Sequence, residues 1–340
     1  MSAVPVWNAK KEEYQLNEVI GQGAYGRVYK ADIRNGSPIR ILAIKEFGVP
    51  RTQKELEKVQ TEVDILIKIS SNCHPNLICY LDHYQDGNNL YIVTEFIEGI
   101  SFEEFISRHW FEDNYIRNQN NQNTQGNIWV KNVGFTLAYN TDRNYPNYLV
   151  VEGILEDLLR AVHYLHGYDL IHRDIKPANI MIKQPFTDPQ AVLIDLGLSC
   201  MGTNCSESFG GTPLYMAPEK IIAEAVYQRK LPLSMLKLSD LFSVGASMYE
   251  YMIGQNFYPT NVRNMDELIL LIENQYPNLN YKWYSDLLLQ NIVSSLLQRK
   301  PFKRISATDA ITAMENAYDS ENSENSDNPE NSDNPGNSDK

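Results

Sequence analysis

The run Ile171-His172-Arg173-Asp174-Ile175-Lys176-Pro177-Ala178-Asn179 places a carboxylate, an ammonium and a carboxamide at short fixed offsets. Moving a phosphoryl group onto a hydroxyl asks for that set. A carboxylate sits at the attacking oxygen, a cation sits beside the moving phosphate, and an amide oxygen serves a metal ion. Asp174, Lys176 and Asn179 are therefore the candidate catalytic residues. The same chemistry needs a grip on the rest of a polyphosphate, and the upstream sequence offers one. In Gly21-Gln22-Gly23-Ala24-Tyr25-Gly26-Arg27-Val28, glycines let the backbone approach phosphates and aim its N–H groups at them. A helix after this run would suggest a dinucleotide fold, but a strand pattern follows, which favours a hairpin that covers a nucleotide. Ala43-Ile44-Lys45 then brings a lysine for the α- and β-phosphates, and Glu62 offers a carboxylate to hold it by an ion pair.

The elements that must position these groups are legible from periodicity. Tyr14–Ile20, Arg27–Ile33 and Ile39–Phe47 read as strands, with Asn35-Gly36 as a hairpin turn. From Thr52 to Ser70 the period becomes helical, with Leu56, Val59, Val63 and Leu66 on one face and Glu62 at its border. A lone carboxylate there is costly unless it is paired. Strands near Leu77–Tyr84 and Leu90–Phe96 flank the polar turn Asp86-Gly87-Asn88-Asn89. From Leu149 the pattern is mostly helical. Leu149, Ile154, Leu155, Leu158, Leu159, Val162 and Leu165 line one helix, and Asp240–Ile253 is apolar nearly all round, as a central buried helix is. Further helices are expected near Met265–Asn274, Ser285–Leu297 and Ala307–Tyr318.

The chain has 340 residues, 43% of them hydrophobic, enough for one large domain or two lobes with a cleft. Its net charge is −13, of which −6 falls in the acidic, aromatic-free stretch from Asp319 onward. The charge left on the folded part does not describe a nucleic-acid binder. Cys73, Cys79, Cys200 and Cys205 show no zinc-type spacing and are too few for a disulfide scaffold, so free thiols in a reducing, intracellular and cytoplasmic setting are expected. No signal peptide and no membrane span are read from the sequence.

The order of glycine loop, strand lysine, helix glutamate, His-Arg-Asp and Asp195-Leu196-Gly197 resembles the eukaryotic protein kinase superfamily over about Tyr14 to Tyr318. The resemblance implies an α+β, bilobal protein kinase fold with a β-rich N-lobe and a mainly helical C-lobe. It implies ATP and magnesium as cofactors and proteins as substrates. Asp174 would accept or orient the proton of the substrate hydroxyl, and Lys176 would neutralise charge on the γ-phosphate. Asn179 and Asp195 would hold the metal. Within Thr94-Glu95-Phe96-Ile97, the backbone of Glu95 and Ile97 would meet adenine. Val28 and Ala43 would cover the ring and Met181 would lie beneath it. Ile20, Gly21, Gly23, Gly26, Lys45 and Glu62 complete the ATP-binding set. Leu66, Tyr80, His172 and Leu196 resemble the stack that joins the lobes, with Asp240 as its anchor or as a partner of a helix N-terminus.

Gly211-Thr212-Pro213-Leu214-Tyr215-Met216-Ala217-Pro218-Glu219 resembles the end of an activation segment that docks peptides, and Glu219 would pair with Arg304. Lys176 and Thr212 are similar to serine/threonine rather than tyrosine kinases. Thr212 is the candidate for substrate docking. Arg173 before the catalytic aspartate, and Ser208 eleven residues before Glu219, make Ser208 the candidate regulatory phosphosite. The alternatives are a weakly catalytic pseudokinase acting as a scaffold and a small-molecule phosphotransferase. The expected organisation is an N-terminal extension (1–13), a kinase domain (14–318, N-lobe 14–96 and C-lobe 97–318, with an Asn-rich insertion at about 110–147) and a disordered acidic tail (319–340).

Overall fold

Period-two alternation builds the N-terminal half. The computed structural model describes residues 14–23, 26–33, 41–109, 147–185, 187–202, 205, 210–260, 262, 264–274, 276–279 and 286–326. Strands β1 (Tyr14–Gly23), β2 (Gly26–Ile33), β3 (Ile41–Phe47), β4 (Tyr80–Asp86) and β5 (Asn89–Glu95) form one antiparallel sheet in the order β1-β2-β3-β5-β4. Its register sets Val28 opposite Lys45, Ala43 opposite Thr94 and Lys45 opposite Ile92. Opposed residues share a face, so these side chains all look the same way. Leu42, Ile44 and Val93 are buried on the other face, with Tyr14, Tyr84 and Tyr91 stacked at 5.3 and 4.6 Å. Gly26 has φ +138°, and a Cβ there would lie 1.9 Å from the Glu46 carbonyl oxygen, so the β1–β2 hairpin can close on β3 only with glycine at this position.

Helix α1 (Gln53–Ile69) starts at Thr52, whose side chain accepts from the Glu55 amide. It buries Val59, Glu62, Val63, Ile65, Leu66 and Ile69, so Glu62 lies on the inward face. The strand expected from Leu77 begins at Tyr80. Leu77 instead makes a lone bridge to Leu193, since the Asn76 carbonyl and the Ile78 amide bond to the Leu193 backbone.

The C-terminal half is helical around short strands. These are β6 (Gly99–Ser101), β7 (Leu170–Ile171), β8 (Ile180–Lys183), β9 (Gln190–Leu193) and β10 (Cys200–Met201). Strands β6, β8 and β9 form a small sheet, and β7 pairs with β10. The helices are α2 (Phe102–Ser107), α3 (Tyr148–Gly167), α4 (Pro218–Ile221), α5 (Leu233–Ile253), α6 (Met265–Asn274), α7 (Leu287–Leu296) and α8 (Ala307–Ser326). Fourteen of the 21 residues of α5 are buried, which places it at the centre of this half. A buried fork of Arg304 on Glu219 (2.5 and 2.6 Å) ties α4 to the segment before α8, and further Arg304 N–H groups donate to the carbonyls of Gln298 and Leu238. The architecture is the expected bilobal α+β fold.

Three expectations change. Helix α5 begins at Leu233, so Asp240 sits two turns inside it and cannot serve the N-terminal dipole. Helix α8 runs past Tyr318 to Ser326. Cys73 is joined to Cys79 and Cys200 to Cys205, with Cα separations of 5.4 and 4.8 Å, so no described cysteine is a free thiol. Each pair closes a tight local loop, which sequence spacing alone does not reveal, and the argument from cysteines for a reducing compartment lapses. The Asn35-Gly36 turn, the Asn-rich stretch 110–146 and residues 327–340 lie outside the described residues. No helix among the described residues is long and apolar enough to cross a membrane.

The joint between α3 and β9 contains a half-buried carboxyl. Asp157 accepts from the Ala191 amide at 2.7 Å, while Asn76 donates to the Ala191 carbonyl at 3.0 Å. Burial pushes the Asp157 pKa up to about 6, with the Ala191 amide and Asn76 acting against it. Raised above its unfolded value, this group favours folding below about pH 4, and the advantage is lost as pH rises through about 6. Relative to Asp157→Asn, the unfolding free energy of the unaltered chain is expected to fall by about 1–2 kcal/mol between pH 4 and pH 7, after discounting for partial exposure. Urea unfolding at the two pH values measures it, and parallel pH profiles for both proteins contradict it.

Candidate active site

A cleft of about 660 Å³ opens between the sheet and the C-terminal half. Every residue expected around the nucleotide lines it: Ile20, Gly21, Gly23, Gly26, Val28, Ala43, Lys45, Glu62, Glu95, Ile97, Met181, Asn179 and Asp195. The upper wall follows from the register above, and Met181 reaches the floor from β8. The Glu95 amide donates to the Cys79 carbonyl at 3.0 Å, so contact with a base at Glu95 falls to its carbonyl. Sequence reading missed Ile78, Ile92, Ile194, Ser101 and Glu104 in the lining. Ile92 stands two residues before Thr94 on the same face, so strand alternation could have found it. The Ser101 side chain accepts from the Glu104 amide at 3.1 Å, and this cap, written as Ser-x-x-Glu, was a readable sign of α2.

Inside the cleft, Lys45 Nζ lies 2.6 Å from Glu62 Oε1 and 3.1 Å from Asp195 Oδ1. Burial works against the Lys45 ammonium, but Glu62 and Asp195 outweigh it and hold the proton well above the usual lysine range. Burial alone would also raise the Asp195 carboxyl, and Lys45 reverses that and lowers it. Glu62 is pushed up by burial against the pull of Lys45. The trio joins β3, α1 and the loop after β9, so the two halves meet through charges that would be costly apart. The pair expected from sequence is present, and the contact with Asp195 is additional.

The loop of residues 172–179 lies at the floor. Asp174 Oδ1 accepts from the Thr212 hydroxyl at 2.8 Å, and Lys176 Nζ lies 2.9 Å from Asp174 Oδ2. Lys176 also donates to Thr212 Oγ1 at 2.7 Å. Asn179, at the end of the 3₁₀ turn Pro177–Asn179, donates Nδ2 to the Asp174 carbonyl (2.8 Å) and to Oδ2 (3.0 Å). Asp174, Lys176, Asn179 and Thr212 thus form one cluster, bound to the cleft through Asn179. His172 is fully buried; Nε2 donates to the Ile194 carbonyl (3.1 Å) and Nδ1 accepts from the Asp174 amide (3.3 Å). Leu66, His172 and Leu196 are buried, and Tyr80 packs on the same core.

Asp240 underlies this loop from within α5. Its carboxylate accepts from the amides of His172 and Arg173, each at 2.9 Å, and from His166 Nε2 at 3.1 Å. Burial would push its pKa up; His166 and these donors outweigh burial and hold it below the usual carboxylate value. The role of His166 had no sequence signal, because it depends on α3 packing beside α5. Ser208 lies outside the described residues.

The family described as protein kinase domain matches residues 14–314. Among curated proteins, serine/threonine-protein kinase 36 of Mus musculus is 29% identical over 305 residues, covering 88% of this chain and 19% of that protein. Serine/threonine-protein kinase TIO of Arabidopsis thaliana is 30% identical over 300 residues, covering 87% of this chain and 18% of that protein. Serine/threonine-protein kinase fused of Drosophila melanogaster is 29% identical over 304 residues, covering 88% and 31% respectively. The chain thus spans about a fifth to a third of the length of these relatives.

Replacing Asp240 by Asn removes the charge and turns one acceptor into a donor that faces donors. The Asp240→Asn chain is expected to be less stable by about 2–4 kcal/mol, the scale of lost hydrogen bonds to a buried charge. Denaturant unfolding at neutral pH measures this, and an unchanged midpoint contradicts the assignment.

Proposed function

The chain belongs to the protein kinase domain family, and from that premise we propose that it transfers the γ-phosphate of ATP to serine and threonine hydroxyls of protein substrates. The observation that carries the reading is the bonded cluster of Asp174, Lys176, Asn179 and Thr212 at the edge of a cleft that holds Lys45, Glu62 and Asp195. Val28 and Ala43 would cover adenine from above and Met181 from below. Lys45, held by Glu62, meets the phosphates. Asp174 orients the substrate hydroxyl and takes its proton as the oxygen attacks. Lys176 balances charge on the moving phosphoryl group, and Thr212 fixes the angle between Lys176 and Asp174.

The residues present fit magnesium. Asn179 spends its Nδ2 on Asp174, which leaves its amide oxygen for a cation. Asp195 adds a carboxylate, partly exposed to the cleft. Among the described residues no group of three or more potential ligands is assembled, and magnesium is commonly held by one or two side chains together with phosphates rather than by a full protein cage. When bound, the ion neutralises phosphate charge.

A pseudokinase scaffold usually lacks one of Lys45, Asp174, Asn179 or Asp195, and all four stand here in bonded positions. The peptide-docking segment and its Glu219–Arg304 anchor favour a protein over a small-molecule acceptor. With labelled ATP, magnesium and a generic protein substrate, the unaltered chain is expected to form phosphoserine or phosphothreonine, and Asp174→Asn to lose about 10³-fold or more in kcat. Equal labelling by both proteins rejects the reading.

Arg173, directly before Asp174, supports Ser208, eleven residues before Glu219, as a regulatory phosphosite, because a phosphate there would gain charge-assisted bonds to a guanidinium. Phosphatase treatment is expected to lower kcat with loss of the Ser208 phosphopeptide. Mass spectrometry that finds Ser208 unmodified in fully active protein rules this out.

A further inference from the structure

Lys220, the residue after Glu219, is only 1% exposed. A buried ammonium is costly unless its environment repays the lost hydration. Here the repayment is two backbone carbonyls: Nζ donates to Gly210 O and lies 3.5 Å from Arg173 O. Gly210 stands two residues before Thr212, and Arg173 directly precedes Asp174. One side chain therefore holds the backbone leading into Thr212 and the backbone leading into Asp174. Gly211, with φ +123°, keeps the space open, since a Cβ there would fall 2.8 Å from Arg173 O and 3.1 Å from Lys220 Nζ. Four residues after Lys220, the Glu224 carboxylate faces the Gly210 amide and lends negative charge to both Lys220 and Arg173. Asp240 and Asp174 are the other acids that act on Lys220.

We propose that Lys220 is a positioning residue for phosphoryl transfer, clasping the end of the activation segment to the catalytic loop so that Thr212 meets Asp174 and Lys176. The proposal rests on the phosphotransfer reading above. Without the clasp, the Gly210–Gly211 backbone is free to shift, and the 2.8 Å Thr212–Asp174 contact goes with it. The nucleotide cleft is lined by other residues, so its affinity for ATP is preserved.

The test compares the full chain with Lys220→Met, which keeps bulk and removes the donor, with Glu224→Gln, and with Asp174→Asn as the inactive reference. Lys220→Met is expected to lose about 10- to 100-fold in kcat, the scale of one hydrogen bond from a charged group, with KM for ATP changed by no more than about two-fold. Glu224→Gln is expected to lose a few-fold in kcat with the same split, and it decides the matter if Lys220→Met does not fold. A kcat within about two-fold of the unaltered chain in the deciding variant overturns the proposal, as does a fall in kcat matched by an equal fall in ATP affinity and unfolding temperature. An unaltered chain as inactive as Asp174→Asn overturns the phosphotransfer reading and this proposal with it.

Discussion

One buried carboxylate sets the geometry of the reaction centre. Asp240 is 1% exposed within α5, most of whose residues are buried, so its charge must be met by donors. Two of those donors are consecutive amides, and one belongs to Arg173, whose φ is 73°. A non-glycine residue in that region costs on the order of 1 kcal/mol or more and persists only where its surroundings demand it. The hydrogen bond to Asp240 is such a demand. It bends the chain between His172 and Asp174, so that His172 turns into the core while Asp174 faces Thr212.

Another left-handed residue, Asp195 (φ 57°), stands on the loop after β9 and lines the cleft. Its carboxylate meets Lys45, and Lys45 meets Glu62, so the backbone strain there is offset by an ion network rather than by a helix. The two groups of residues around the cleft are therefore held differently. Below the cleft, the helical core fixes the catalytic loop. Above it, a charged bridge fixes α1 against the sheet, and such a bridge depends on all three of its members being present.

Much of this was legible because it is local in the chain. The offsets within 171–179, the glycine loop and the alternation that puts Ala43 and Lys45 on one face need no knowledge of tertiary contacts. Glu62 was readable because a carboxylate on an apolar stripe requires a partner. What stayed hidden depends on distant returns of the chain. His166 reaches Asp240 only after α3 and α5 pack, and Lys220 gains meaning only when the chain at Gly210 returns to it. The cysteine pairs were missed because two thiols five or six residues apart carry no pattern until a turn brings them together. The start of α5 was misplaced although Leu233, Met235, Leu236 and Leu238 carry its apolar pattern upstream to Pro232, which stands at its N-cap.

The occupancy of Asp174 has a consequence for stoichiometry. An ionised carboxylate offers about four lone-pair directions. Thr212, Lys176 and the Asn179 amide already take three of them. One vacancy is left, and it admits a single alcohol. On the proposed reaction, a water molecule and an acceptor hydroxyl compete for that one seat, so the degree to which the seated acceptor excludes water would set how much ATP is lost to hydrolysis.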